Sequence, residues 1–318
     1  MRKLLLILLL LTPPSLIFAN NGVPLSTADF EVQNPAIENI STGNLTTAHF
    51  VLHHDINPLH AKTVAYLMEF SYHNFLTFHN MLGFDLRQPE KKLNWVCFSE
   101  PDDFSNYSLT VDKMDLSWLS GYYSARTNAV AIIEPHPIPD WTNFKNQTTS
   151  LTEEYANGYN TPLVQIIHEA AHQLAFNTGL QKKGVMYPIW AGEGPALIFE
   201  DSLSQCFPTI RYSTLRLDHL ARLHQQNKLI PIRQFITLSR LPADAAEQDI
   251  YAQALAFYAF LFENHTEEVK QYFQALYGLK TGPRSDSTML NEFTNAFGPL
   301  DLIEKQWVLH LLSTDDQP

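Results

Sequence analysis

The sequence predicts an α+β protein with a mixed α/β N-terminal half and a helical C-terminal half. Three observations carry that expectation. Apolar runs of strand length are confined to the stretch before residue 134. From Pro162 onward the apolar spacing turns helical. Between the two lies a polar segment, residues 134–160, punctuated by proline and glycine, which reads as a long surface loop.

The first residues read as an export address. Arg2 and Lys3 precede an apolar run from Leu4 to Leu11, and Leu16 to Phe18 leads to a small residue, Ala19. That is the layout of a cleavable signal peptide over residues 1–19. The apolar run is shorter than the ~20 residues of a spanning helix, and no later segment is long and apolar enough to span a bilayer, so the mature protein is expected to be exported, periplasmic or secreted. Residues 20–45 are polar, without periodicity, and read as a leader. The rest, 46–318, is expected to form one domain, divided into an α/β subdomain over 46–178 and a helical subdomain over 179–318.

A strand is predicted at His49 to Leu52. Pro58 opens a helical pattern carried by Val64, Leu67, Met68, Phe75, Leu76, Met81 and Leu82, and Gly83 stops it. Leu93 to Phe98 is a strand. Gly121 to Ile133 holds a strand pair with a turn near Thr127 and Asn128. Helices are expected over 162–177, 193–204, 209–226, 246–264, 266–278 and, with breaks, 286–312.

Charge narrows the partners. Without Arg2 and Lys3, 19 of the 21 Lys and Arg face 33 Asp and Glu. An acidic chain with no basic cluster argues against nucleic acid or an anionic membrane as partner. Cys97 and Cys206 are the only cysteines; after export they could pair, and a buried free thiol at Cys97 is the equal alternative. The oligomeric state is left open.

The chemistry concentrates in Leu163 to Leu174, which contains His168-Glu169-Ala170-Ala171-His172. On a helix at about 100° per residue, the two histidines stand about 40° apart, one turn above the other. Leu163, Ile166, Ile167, Ala170, Ala171 and Leu174 cover the opposite side. Two imidazoles on the polar face of a core-packed helix provide two of the three protein ligands of a catalytic zinc. A carboxylate, Glu193, follows 21 residues after His172 at the expected start of the next helix. Gly179 and Gly184 let the chain turn back between them. Glu193 can complete a His₂Glu set, one zinc per chain, with the fourth position left for water.

Two further segments extend the pattern: Trp190-Ala191-Gly192-Glu193-Gly194-Pro195-Ala196, and His172-Gln173-Leu174-Ala175-Phe176-Asn177. Together with His168-Glu169-x-x-His172 they resemble the gluzincin-type zinc metallopeptidases, distantly the aminopeptidase N relatives. They also resemble a poorly characterised group of exported bacterial gluzincin-like domains. The resemblance is specific around residues 163–200. It implies a zincin-like fold with the cleft between the two subdomains, and an exported zinc metallopeptidase acting on a peptide or protein. It implies that Glu169 is the general base. Glu200, two turns beyond Glu193, is then either a partner holding a ligand histidine or a solvent-facing carboxylate. Tyr251 stands where those relatives carry an oxyanion donor, and is either that donor or a core aromatic beside Leu255, Tyr258 and Phe262. The glutamate with which aminopeptidases read a free amino terminus has no counterpart motif. The region offers only Gly121-Tyr122-Tyr123 and an isolated Glu134. Tyr122 and Tyr123 either line the cleft or pack on the sheet. The alternative function is a non-catalytic binding or processing factor that keeps the zincin fold.

Overall fold

The computed structural model describes residues 43–136, 138, 140–142, 162–200, 214–242 and 246–314. The expected signal peptide, most of the leader and Cys206 lie outside the described residues, as does most of the loop at 134–160. The architecture is α+β: a mixed five-stranded sheet followed by a helical C-terminal region. The strands are β1 (Gly43–Thr46), β2 (Phe50–His54), β3 (Leu93–Phe98), β4 (Gly121–Ser124) and β5 (Ala129–Ile133), in the spatial order β1-β2-β3-β5-β4. The three central strands β2, β3 and β5 are parallel, and β1 and β4 close the two edges antiparallel to their neighbours.

Helix α1 (Pro58–Met81) makes the β2-to-β3 crossover. The side chain of Asn57 caps it by accepting from the Leu59 N–H at 2.9 Å, and Pro58 presets its first turn. Gly83, at φ +76°, ends it as expected. Helix α2 (Pro101–Thr110) crosses from β3 toward β5 on the other face. Side-chain alternation separates the two faces: Trp95, Cys97, Val130 and Ile132 join the main core under α1, while Ala131 and Tyr122 pack with Phe104 of α2.

The remaining helices are α3 (Pro162–Thr178), α4 (Ile189–Glu200), α5 (Thr214–Gln225), α6 (Ile232–Phe235), α7 (Glu247–Asn264), α8 (Thr266–Tyr277), α9 (Asp286–Phe297) and α10 (Leu300–Thr314). Gly298, at φ +85°, makes the break inside the predicted 286–312 stretch. One buried cluster runs from Phe50 and Trp95 through Ile167 and Leu174 to Trp190 and Phe257. The two expected subdomains therefore share a core, with α3 between sheet and helices. No described helix is long and apolar enough to cross a membrane.

Three expectations need correction. The sheet reaches into the leader, because Gly43–Thr46 pairs with Val51 to His54. Of this short polar strand only Leu45 is buried, so its own pattern carries no strand signal and pairing supplies the structure. Helix α2 also escaped the sequence reading. It buries only Phe104 and Ser108, too few positions for a periodic signal, although Pro101 followed by Asp102 and Asp103 is a helix-start signature. Finally, α4 starts at Ile189, so Glu193 stands in its second turn and not at its first residue.

Pro195 lies inside α4. A proline in a helix interior lacks the N–H that would bond the carbonyl four residues back. Here Gln181 Nε2 donates to that carbonyl, Ala191 O, at 2.8 Å, and the helix continues through the proline. Gly194 serves a different need. A Cβ there would stand 2.4 Å from Cγ of Tyr258, so α7 crosses α4 at a point only glycine permits.

Candidate metal centre

The helix α3 and α4 bring together the three residues expected to bind metal. Nε2 of His168 and Nε2 of His172 stand 3.0 Å apart. Oε2 of Glu193 is 3.2 Å from the His172 nitrogen and 3.4 Å from the His168 nitrogen. Ligands about 2.0–2.1 Å from a tetrahedral ion sit about 3.3 Å from one another, so this spacing is that of three donors around one ion. Nδ1 of His168 is 2.8 Å from Oε1 of Glu200. As a donor to that carboxylate it orients the ring so that Nε2 faces Glu193. Glu200 is buried, which excludes the solvent-facing alternative for it.

The charges of the histidines and carboxylates are coupled. Burial works against a charged His168, yet the Glu193 and Glu200 carboxylates outweigh it and push its pKa well above the usual histidine range. Burial would raise Glu193, but His172 and His168 hold it well below the usual carboxylate range. Two imidazoles plus a carboxylate fit the ligand chemistry of zinc.

Glu169 lies beside this centre, almost fully buried. Burial raises its pKa, partly offset by His168 and His172 and by a hydrogen bond from the Tyr123 N–H. A carboxylate moved toward neutrality is better matched to taking and returning a proton near pH 7. Tyr251, in the first turns of α7, lines the same cleft, while its ring also packs on the core below. Burial and the nearby Glu193 and Glu247 push its pKa up. Leu255, Tyr258 and Phe262, on the same helical face, are buried in the core.

The cleft has a volume of about 940 Å³, and β4 forms one wall. Ile133 N donates to Ser120 O at 2.8 Å, so by antiparallel alternation Ser120 and Tyr122 turn their backbone groups toward β5. Gly121 and Tyr123 turn theirs outward. Among the described residues no strand pairs with this outer edge. The two tyrosines divide the roles the sequence left open. Both line the cleft. The Tyr122 side chain packs toward α2 and its hydroxyl donates to Asp112 at 2.8 Å, while the Tyr123 ring stacks on Phe176 with centroids 5.6 Å apart. Glu134 is on the cleft wall at the end of β5, paired with His60 and, at 3.3 Å, with Nε2 of His136. Glu247 also lines the cleft and was missed by the sequence reading, since a lone first-turn glutamate carries no distinguishing signal.

Fold and site together define an α+β protein with a His₂Glu donor set in a cleft beside a sheet edge that no described strand covers. A family profile described as "Protein of unknown function (DUF1570)" matches residues 163–279. The match spans less than half of the 318-residue chain, and His168, Glu169, His172, Glu193, Glu200 and Tyr251 all fall within it. No curated protein matches the chain.

Proposed function

We propose that the protein is an exported zinc-dependent peptidase of the gluzincin type with a zincin-like fold. The observation that carries the reading is the convergence of His168 Nε2, His172 Nε2 and Glu193 Oε2 at ion spacing, with Glu169 beside them in an open cleft. A zinc ion held by those three residues would supply Lewis acidity at one open coordination position. The residues of the chain do the rest. Glu169 takes the proton of the attacking water and delivers it to the leaving nitrogen. Glu200 holds His168 in its ligating tautomer. The Tyr251 hydroxyl donates to the negative oxygen that develops on the substrate carbonyl. The outward backbone groups of Gly121 beside the cleft suit an extended peptide, which would add to β4 as a further strand.

Glu169→Gln tests this reading. It keeps the shape and the metal ligands and removes the proton acceptor. The expected outcome is full zinc content with turnover on a mixed peptide library lowered by about 10²–10⁴-fold. Cleavage at the wild-type rate by the zinc-loaded variant would end the mechanism. A wild-type protein that binds zinc and cleaves no peptide would favour the binding or processing factor.

A further inference from the structure

We propose that Asn128, Gln173 and Asn177 are positioning residues that set the gap between the edge strand β4 and the metal-binding helix α3. The helix carries two polar rows. His168 and His172 form the ligand row. Glu169, Gln173 and Asn177, each four residues after the last, form a second row on a neighbouring stripe, and all three reach the β4–β5 hairpin. Glu169 receives the Tyr123 N–H. Gln173, fully buried, donates through Nε2 to Asn128 O and to Asn94 O, each at 3.1 Å. Its Oε1 accepts from Trp95 Nε1 at 2.7 Å, so every hydrogen-bonding direction of this amide but one is fixed by the sheet.

Asn177 completes the clasp. Its Nδ2 donates to Asn128 Oδ1 at 2.8 Å, and Asn128 Nδ2 returns a bond to Asn177 Oδ1 at 2.9 Å. The Tyr123 hydroxyl donates to the same Asn128 oxygen at 2.8 Å. Asn128 holds the tight turn in the left-handed region, at φ +59°, a conformation asparagine tolerates better than most residues. The turn residue is therefore gripped by its carbonyl, by its side-chain oxygen and by its side-chain nitrogen, all from α3 or β4. A packed apolar contact would leave the strand free to slide along the helix; reciprocal amide bonds of this kind fix both distance and register.

The consequence concerns the space between the ligand row and the β4 edge. A peptide strand held there has its carbonyl placed by that gap, and a misplacement of about 1 Å can cost about 10²-fold in rate. This inference rests on the peptidase reading for its kinetic part and stands apart from it for its structural part.

The experiment uses the full zinc-loaded protein with Asn177→Ala, Asn128→Gly and the double variant, and with Asn177→Asp as the change that removes only the donor. Asn177→Ala is expected to lower kcat about ten- to a hundredfold with KM little changed and zinc content intact. Hydrogen exchange should speed up over residues 121–128 and stay slow in α3. The double variant should be no slower than the slower single one, because the two amides form one clasp. Asn177→Asp keeps the acceptor for Asn128 Nδ2 but loses both donated bonds, to Asn128 Oδ1 and to Gln173 O, so its rate should fall at least as far as that of Asn177→Ala. Wild-type kcat and unchanged exchange at 121–128 in Asn177→Ala would overturn the proposal, as would strictly additive losses. If no peptide is cleaved by any form, the peptidase reading fails, and the exchange measurement alone decides whether the clasp holds the hairpin.

Discussion

Two clusters in this protein have the same composition and different physics. His168, His172 and Glu193 lie between α3 and α4; His49, Glu69 and His73 lie between the start of β2 and α1. Each has two histidines and one glutamate, and each has two members four residues apart on one helix. In the first, the three ligand atoms are 3.0, 3.2 and 3.4 Å apart. In the second, His49 Nδ1 is only 2.6 Å from Glu69 Oε2, and the His49 N–H donates to Glu69 Oε1 at 2.8 Å. Two ligands of one tetrahedral zinc cannot approach that closely, whereas a hydrogen-bonded pair does. The Glu69 carboxylate is already spent on anchoring the chain at His49, whose ring stacks on Tyr72 with centroids 3.7 Å apart. The first cluster thus has three donor atoms at ion spacing, one of its rings held by Glu200, while the second holds a hydrogen-bonded pair, so equal residue types do not make equal sites.

Breaking the first cluster should have the largest effect. Glu193→Gln replaces an anionic ligand by a neutral amide. Zinc content after dialysis should fall from one per chain to well below one, and the rise in Tm on adding zinc should vanish. Elemental analysis and thermal melting check this; full occupancy would remove Glu193 from the ligand set. Tyr251→Phe comes next and leaves the metal alone. The expected loss is about 10²–10³ in kcat at constant zinc content and Tm. A loss that tracks a lower Tm would assign the tyrosine to the core.

Glu200→Gln sharpens the contrast further, because it touches no metal. It weakens the hold on His168 Nδ1, and zinc affinity measured by competition with a chelator should drop about ten- to a hundredfold. The smallest effect on zinc belongs to the second cluster. His73→Ala should leave zinc stoichiometry and affinity as in the wild type, and Glu69→Gln should too, at a cost of about 1–3 kcal/mol in stability from a weakened charge-assisted hydrogen bond. A second zinc equivalent that disappears with either substitution would erase the distinction between the clusters.

Much of the fold was legible because its signals are local. The α1 pattern with Gly83 after it, the apolar β3 run and the β4–β5 pair around Asn128 lie where the sequence predicts them. Local signals fail where tertiary contact supplies the structure. Strand β1 exists because β2 offers it an edge. Helix α4 continues through Pro195 because Gln181, from outside that helix, takes the orphaned carbonyl. The cleft behaved in the same way. Helical spacing put His168 and His172 on one face, while Glu247 and Glu134 became cleft residues only through the packing of α7 and the end of β5.

The sequence by itself determined which residues have metal-binding chemistry and that two of them share a helix face, since an α-helix repeats every 3.6 residues whatever surrounds it. It also determined an α+β order of elements, because the switch from strand-length runs to helical periodicity is written residue by residue. Only the tertiary structure decided that Glu193 and not another carboxylate meets the two histidines, that Glu200 backs His168, and that His49 and Glu69 form a hydrogen-bonded anchor. Those outcomes depend on how α4 crosses α7 at Gly194 and how α1 meets β2. Distances of a few tenths of an ångström, set by packing between elements far apart in the chain, separate three donors at ion spacing from a hydrogen-bonded pair.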